Sequence, residues 1–528
     1  MANENKQSFL QGALVLIIAN ILIKVIGAIF KIPLDNLIGA DGMGLFLVAY
    51  YLYNMMFVLS TAGLPVAVSR MVAESNALGK GREVKKIVKV ALALFLSIGA
   101  LFSIVMFVGA GFYVESVQNS RAYLSVLAIA PAVFFVAIMS VYRGYYQGMS
   151  NMYPTAISQV IEALSKLLLG YTFAYILLKK GYGVEVAAAG AIAGVTIGTV
   201  LGALYLTIKK RTDKTVIPET SDECRSSKAL IGKLIAIAIP ITIGSAVLSV
   251  TNLIDTMVVL RRLQSIGFSE VDANVLYGAY SVKAVSLMTL PQTLIVALTV
   301  SLIPAISAAN ARMDYLRASR TADSALRCTC LIAFPCAAGI GTLSWPILNL
   351  LFVNTDEVNI AAPMLTMLAP AVVFVALVSV TNSIMQAAGR ERLTVVSMIV
   401  GCVVKLTCNY ILVGTPSINI SGAPIGTLCC YASIATLNLI ILYKKTNIAP
   451  RNWASLIKPA IAAAVMGVCA YFSNMLLTGL IGVKLAVLVS IVIAVVVYFG
   501  VIIAIKGLYK EDMLMLPKGE KLVKLLRL

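Results

Sequence analysis

Histidine is absent from this 528-residue chain, tryptophan occurs twice, and only 12% of the residues are charged. The missing imidazoles remove His-based triads, His-ligated metals and His proton relays. A soluble chain of this size carries roughly a quarter charged residues and splits into two or more domains. With 60% hydrophobic residues and a mean hydropathy of +0.94, this chain cannot hide its apolar surface inside itself, and a bilayer must be its solvent. Soluble enzyme, disordered scaffold, collagen and disulfide-stapled domain are all excluded. Acids are scarce as well: 23 Asp and Glu face 42 Lys and Arg, a net charge of +19. Eight of the nine cysteines lie in apolar segments and Cys224 lies in a basic loop, so no structural disulfide is expected. Gly181-Tyr182-Gly183 lacks the Lys-Ser/Thr ending of a phosphate-binding loop. No cofactor, metal or enzymatic activity is expected. No small-residue cleavage site stands out after the long apolar stretch Phe9 to Phe30, so that stretch reads as a span and not as a cleaved signal.

What is present is a series of long apolar runs. A spanning helix needs about 20 predominantly apolar residues in a row, and reading the chain that way gives about fourteen such helices. The expected spans are 9–33, 42–65, 88–113, 122–146, 155–178, 183–208, 233–258, 276–303, 327–352, 359–387, 393–414, 421–443, 455–478 and 483–506. Gly and Pro interrupt the runs at 42–65 and 276–303. Lys and Arg test the pattern, because cytoplasmic loops of membrane proteins are enriched in them. With the N-terminus inside, about 31 fall inside, about six outside and about five within the helices. The outside six are Arg121, Lys179, Lys180, Arg261, Arg262 and Lys484. An even number of helices with both termini cytoplasmic follows as the expectation. The positive charge is then mainly a topology signal with a secondary pull toward anionic lipid, and nucleic acid is not needed to explain it.

The chain resembles itself at an offset of 239 residues. Gln147, Thr155, Ser158, Lys166, Leu167 and Tyr171 fall on Gln386, Thr394, Ser397, Lys405, Leu406 and Tyr410, and Pro65 falls on Pro304. Six spans separate the members of each pair, so the repeats share one orientation and are related by an axis along the membrane normal. The expected organisation is a first lobe over 1–208, a basic cytoplasmic linker over 209–232, a second lobe over 233–444, two further helices over 445–506 and a cytoplasmic tail over 507–528. The fold class is all-α integral membrane, with two pseudo-symmetric six-helix lobes plus two C-terminal helices. Two such lobes around a central cavity are the plan of an alternating-access transporter. Within span 6, Gly190, Gly194, Gly198 and Gly202 recur every four residues and form a stripe for close helix packing.

Ionisable groups inside a span cost several kcal/mol unless paired, snorkelled or wet, which makes each a candidate for function. Lys24 lies deep in span 1; Lys31 shares its face and either lines a cavity or anchors at the outer interface. Glu162 and Lys166 stand at i, i+4 in span 5 and can pair, which could simply lock the helix. Lys405, the repeat mate of Lys166, has Gly401 where that carboxylate would be. Lys283 precedes Leu290-Pro291, a candidate helix break. Asp255, with Asn252 on the adjoining turn, could partner Lys283, Arg261 or Arg262. Asp35 and Asp41 flank a short external loop, where solvation is the default. Lys24, Lys166, Lys283 and Lys405 against Glu162 and Asp255 give the interior a positive bias. Such a cavity suits an anionic cargo such as a pyrophosphate. A drug exporter driven by Na+ or H+ needs carboxylates that this sequence offers sparingly.

The segment Arg143-Gly-Tyr-Tyr-Gln-Gly-Met-Ser-Asn-Met-Tyr-Pro-Thr-Ala-Ile-Ser-Gln159 resembles the loop between helices 4 and 5 of the stage V sporulation protein B family. Lys24-Val-Ile-Gly27, Leu37-Ile-Gly-Ala-Asp-Gly-Met-Gly44 and Gly63-Leu-Pro-Val-Ala-Val-Ser-Arg70 are similar to it too. These are polysaccharide-biosynthesis-type members of the multidrug/oligosaccharidyl-lipid/polysaccharide (MOP) exporter superfamily, close to the MurJ-like lipid II flippases. The resemblance implies a flippase in the bacterial plasma membrane that moves undecaprenyl-pyrophosphate-linked saccharide, foremost lipid II, to the outer leaflet. It implies partners of that kind: a lipid-linked oligosaccharide, membrane lipids and proteins of cell-wall synthesis. It also implies cationic residues on helices 1, 2 and 8 around the cavity, with Lys24 and Lys283 at or near two of those positions. Helix 2 departs from the pattern, having no basic residue around Asn54 to Phe57. The site residues expected are Lys24, Lys31, Lys283, Lys166, Lys405, Glu162, Asp255, Asn252, Gln147 and Gln386. The alternatives are a multidrug/cation antiporter of the MATE type and a flippase for another lipid-linked polysaccharide unit.

Overall fold

The computed structural model describes residues 9–61, 63–213, 224–292, 312–446 and 456–508, together with positions 295, 306, 307 and 309. Pro304 of the repeat, the middle of the basic 209–232 stretch and the tail beyond 508 lie outside the described residues. Among the described residues the fold is helical, without a strand. The first helix, α1 (Phe9–Thr61), runs through two expected spans and bends at Gly39, whose backbone sits in the left-handed region at φ 69. The Gly-rich Leu37 to Gly44 turn is therefore a kink in one helix and not a solvated loop. There follow α2 (Leu64–Ala77), α3 (Gly81–Val108), α4 (Ala110–Val117), α5 (Tyr123–Gly148), α6 (Tyr153–Ser165), α7 (Tyr171–Lys179), α8 (Val184–Thr212), α9 (Ser227–Ser265) and α10 (Glu270–Gly278). The later chain forms α11 (Tyr315–Thr342), α12 (Ser344–Leu351), α13 (Thr355–Ala387), α14 (Glu391–Val413), α15 (Gly422–Lys445), α16 (Ile457–Ile481) and α17 (Val483–Ala504).

Among the described residues, ten helices are long and apolar enough to cross a membrane. They overlap expected spans 3 to 6 and 9 to 14, the ninth least closely, since its helix runs Tyr315–Thr342 where 327–352 was expected. The other four expected spans fall on α1, on α9 and on the helix opening at Glu270, each of which includes positions that are not fully described. Two segments wind more widely than an α-helix. One, Lys166–Gly170, joins α6 to α7, and the other, Ala279–Val285, continues α10. Such π-turns occur mostly at functional positions. The second places the irregularity of its span one to two turns before Leu290-Pro291, which is itself helical.

Packing divides the chain into two compact units, one of Met1–Arg261 with Ser269–Asn274, the other of Arg262–Phe268 with Val275–Leu528. In the first, α5 packs on α1, α2, α3 and α8. The glycine stripe of α8 lies against α5 to α7: a Cβ on Gly194 would strike the backbone of Gly170, and one on Gly198 would come within 2.9 Å of the Glu162 carbonyl oxygen. Absence of side chains there is what lets the π-turn at Lys166 approach α8. In the second unit α11 packs on α13 and α16, and α16 on α17. Ala462, Met466, Tyr498 and Ile502 of this C-terminal pair share a core with Leu343, and the Tyr498 hydroxyl donates to the Leu331 carbonyl at 2.9 Å.

Candidate functional site

Along α1, Asn20, Lys24, Lys31 and Asp35 share one face, whereas the exposed Ile18, Leu22, Val25 and Ile29 lie on the opposite one. A helix with a lipid-facing aliphatic stripe and a separate polar stripe directs the lysines away from hydrocarbon. Lys24 is exposed and Lys31 half-buried; Asp35 is only 2% exposed. The solvated reading of Asp35 and Asp41 does not survive. Asp35 sits inside the helix, and Asp41, just past the kink, accepts two hydrogen bonds from the Arg121 guanidinium at 2.8 and 2.9 Å. Arg121 also donates to Glu185 at 2.7 Å. Two carboxylates thus share one guanidinium, with Asp41 taking two of its donors.

Beyond the Gly39 kink, aromatic residues recur at helical spacing and form a ladder: Phe30 to Phe46, Phe46 to Tyr50, Tyr50 to Tyr53 and Tyr53 to Phe57, with ring centroids 5.6 to 6.0 Å apart. The helix 2 stretch without a basic residue thus carries the end of this ladder, and Asn54 there donates to Ser249 at 3.5 Å. Lys166 reaches this wall from the start of its π-turn. Its Nζ lies 4.4 Å from the Tyr50 ring centroid, 5.0 Å from that of Phe30 and 5.6 Å from that of Phe46.

The i, i+4 pair with Glu162 is not made. Glu162 accepts instead from Arg143 at 3.2 Å, and Arg143 is held by Ser158 at 2.9 Å. A guanidinium with several donors, coming from the neighbouring α5, occupies the carboxylate that helical spacing offered to Lys166. Arg143 was legible as a candidate, since it lies within expected span 4, but its place in the motif drew attention to the loop. Lys31 directly follows Phe30, one of the rings that Lys166 faces.

The remaining expected residues lie elsewhere. Lys283 is fully buried in the second unit, 2.9 Å from Glu357 and 4.4 Å from the Phe352 ring centroid. Glu357, at the start of α13, is an acid that the sequence did not offer to it. Glu357 escaped the sequence reading because it precedes the apolar run of its span. Arg262 likewise turns to Tyr410, donating to its carbonyl at 3.0 Å. Asp255 and Lys405 are buried, and Asn252 is exposed. Gln147 is half-buried and Gln386 exposed, so these two repeat mates occupy different surroundings. At the basic end of the first unit, Glu74 accepts from Lys233 at 2.7 Å and from Arg225 at 3.4 Å, and Arg225 also meets the buried Glu83 at 2.6 Å. The hydrogen bond from Lys233 holds the Glu74 carboxyl below the ordinary carboxylate range.

Over residues 9–310 the sequence matches the model of a family described as polysaccharide biosynthesis protein. The chain belongs to that family. Stage V sporulation protein B of Bacillus subtilis (strain 168) is 27% identical to it over 479 residues, 89% of either chain. The lipid II flippase MurJ of the same organism is 24% identical over 421 residues, 76% of this chain and 77% of that one. A solved structure of lipid II flippase MurJ in an inward closed conformation matches with a TM-score of 0.71 at 14% identity, over 92% of this chain and 97% of the other. An inward-facing MATE family transporter of the MOP superfamily matches with a TM-score of 0.64 at 17% identity, over 78% and 96%. The protein is accordingly a multi-pass membrane protein with the fold shared by MurJ and MATE transporters.

Proposed function

We propose that this protein moves a polyprenyl-diphosphate-linked saccharide, most simply lipid II, from the inner to the outer leaflet of the bacterial plasma membrane by alternating access. The observation that carries the reading is the polar stripe of α1 with Lys24 and Lys31, in the same unit as a Lys166 ammonium backed by rings and not by an acid. An ammonium that keeps its charge is a suitable contact for phosphate oxygens. Lys24, Lys31 and Lys166 contact the diphosphate. Arg143 with Glu162, and Lys283 with Glu357, are charge-balanced supports. Lys405, Asp255, Asn252, Gln147 and Gln386 complete the polar interior, and residues 209–232 link the two repeats with both termini on the cytoplasmic side. A lipid II flippase and a sporulation protein among the relatives support a cell-wall cargo.

The experiment is leaflet accessibility of fluorescent lipid II in vesicles containing the purified protein. Wild type should expose the probe in the opposite leaflet. Lys31→Met/Lys166→Met should slow this by at least about tenfold, as expected for losing charge-assisted contacts of about 1.5–3 kcal/mol each. Equal rates for wild type and the double variant would refute the site. Extrusion of cationic dyes driven by an ion gradient, without lipid II movement, would point to the MATE-type activity.

A further inference from the structure

An ammonium inside a membrane protein is ordinarily balanced by a carboxylate, which cancels its field along with its solvation cost. Lys166 is balanced differently. Its local acid, Glu162, is engaged by Arg143, and Nζ instead faces Tyr50, Phe30 and Phe46 at 4.4 to 5.6 Å. The negative face of each ring attracts the cation by about 0.5–2 kcal/mol, more as water is excluded, yet none of them carries a charge that would neutralise it. The wall is rigid: Phe30 and Phe46 are each 1% exposed, and Phe46 stacks on Tyr50 at 5.6 Å. Gly170 completes it, because a Cβ there would come within 3.2 Å of the Phe30 ring. Lys166 as a residue is half-buried. Lys31 of α1 directly follows Phe30, the ring whose centroid lies 5.0 Å from the Lys166 ammonium, and so brings a second ammonium to this neighbourhood. Two neighbouring cations gain more from a group with charge on two phosphates than from a single phosphate or carboxylate.

We propose that Phe30, Phe46 and Tyr50 are positioning residues that hold the Lys166 ammonium beside Lys31, and so set the preference of the site for a diphosphate. This rests on the functional reading above and assigns it a specificity device.

The test uses the full chain in nanodiscs of neutral lipid, with farnesyl diphosphate, farnesyl monophosphate and farnesol as probes. Wild type should bind the diphosphate best. Lys166→Met should weaken diphosphate binding by about ten- to hundredfold. Tyr50→Leu should weaken it by about two- to thirtyfold, with an unchanged melting temperature, while Tyr50→Phe retains it. Tyr50→Leu should have no additional effect in the Lys166→Met background, since the ring acts through that ammonium. Phenylalanine bearing one, two and three fluorines at position 50 keeps its size while its ring face loses negative potential, so folding is not at issue. Affinity should fall stepwise along that series. A flat series together with a damaging Lys166→Met overturns the positioning role and leaves the diphosphate reading standing. Wild-type binding by both Lys166→Met and Lys31→Met, or equal affinity for all three probes, overturns the diphosphate reading itself.

Discussion

A lysine within a span can be compensated by an acid or by rings, and this chain uses both. Lys283 has Glu357 at 2.9 Å with no exposed surface of its own, whereas Lys166 has three rings. The two should respond differently to mutation. Removing one member of a buried pair leaves a charge stranded and costs about 3–5 kcal/mol, while replacing both by apolar residues is often neutral. Lys283→Met alone should therefore destabilise by about that much, and Lys283→Met/Glu357→Leu should recover most of the loss. Unfolding of the detergent-solubilised variants would measure it; a double variant as unstable as the single one would contradict the pairing. At this scale the sequence located the buried charges but not their partners. Helical spacing offered Glu162 to Lys166, yet Arg143 of α5 took it, because a partner one helix away can be nearer than one a turn away.

Helix-scale features divide the same way. The glycines of α8 recur at a spacing that puts them on one face, so their role in close packing was readable before any coordinates were known. The π-turns were not: nothing in Lys166-Leu-Leu-Leu-Gly170 distinguishes it from an ordinary helical run, and the extra residue is accommodated by the contact with α8. The stripe makes a graded prediction. Gly194→Ala places a methyl on the Gly170 backbone, which cannot yield, and should cost about 1–3 kcal/mol and weaken diphosphate binding by displacing Lys166. Gly190→Ala meets only the end of the Leu177 side chain and should be far milder. Thermal stability and probe affinity measured together distinguish the two; equal effects would mean that the close approach at Gly194 is not what seats the π-turn.

For the whole molecule, the asymmetry of Lys and Arg makes a topological prediction independent of cargo. Ser226→Cys and Lys180→Cys, both at exposed positions, should react with a membrane-impermeant thiol reagent from opposite sides in a cysteine-free background, Ser226 from the cytoplasm. Labelling of both from one side would break the expected orientation. Length, hydropathy and charge by themselves determined that lipid is the solvent, that the elements are helices, where along them the charges fall and which face of α8 is smooth. Each of these follows from local composition or a short spacing, so a single chain suffices to read it. Only the tertiary structure decided that Lys166 meets aromatic rings, that Arg143 takes Glu162 and that Glu357 neutralises Lys283. Electrostatic and ring contacts depend on distances of a few ångströms between helices remote in sequence, and those distances arise from packing.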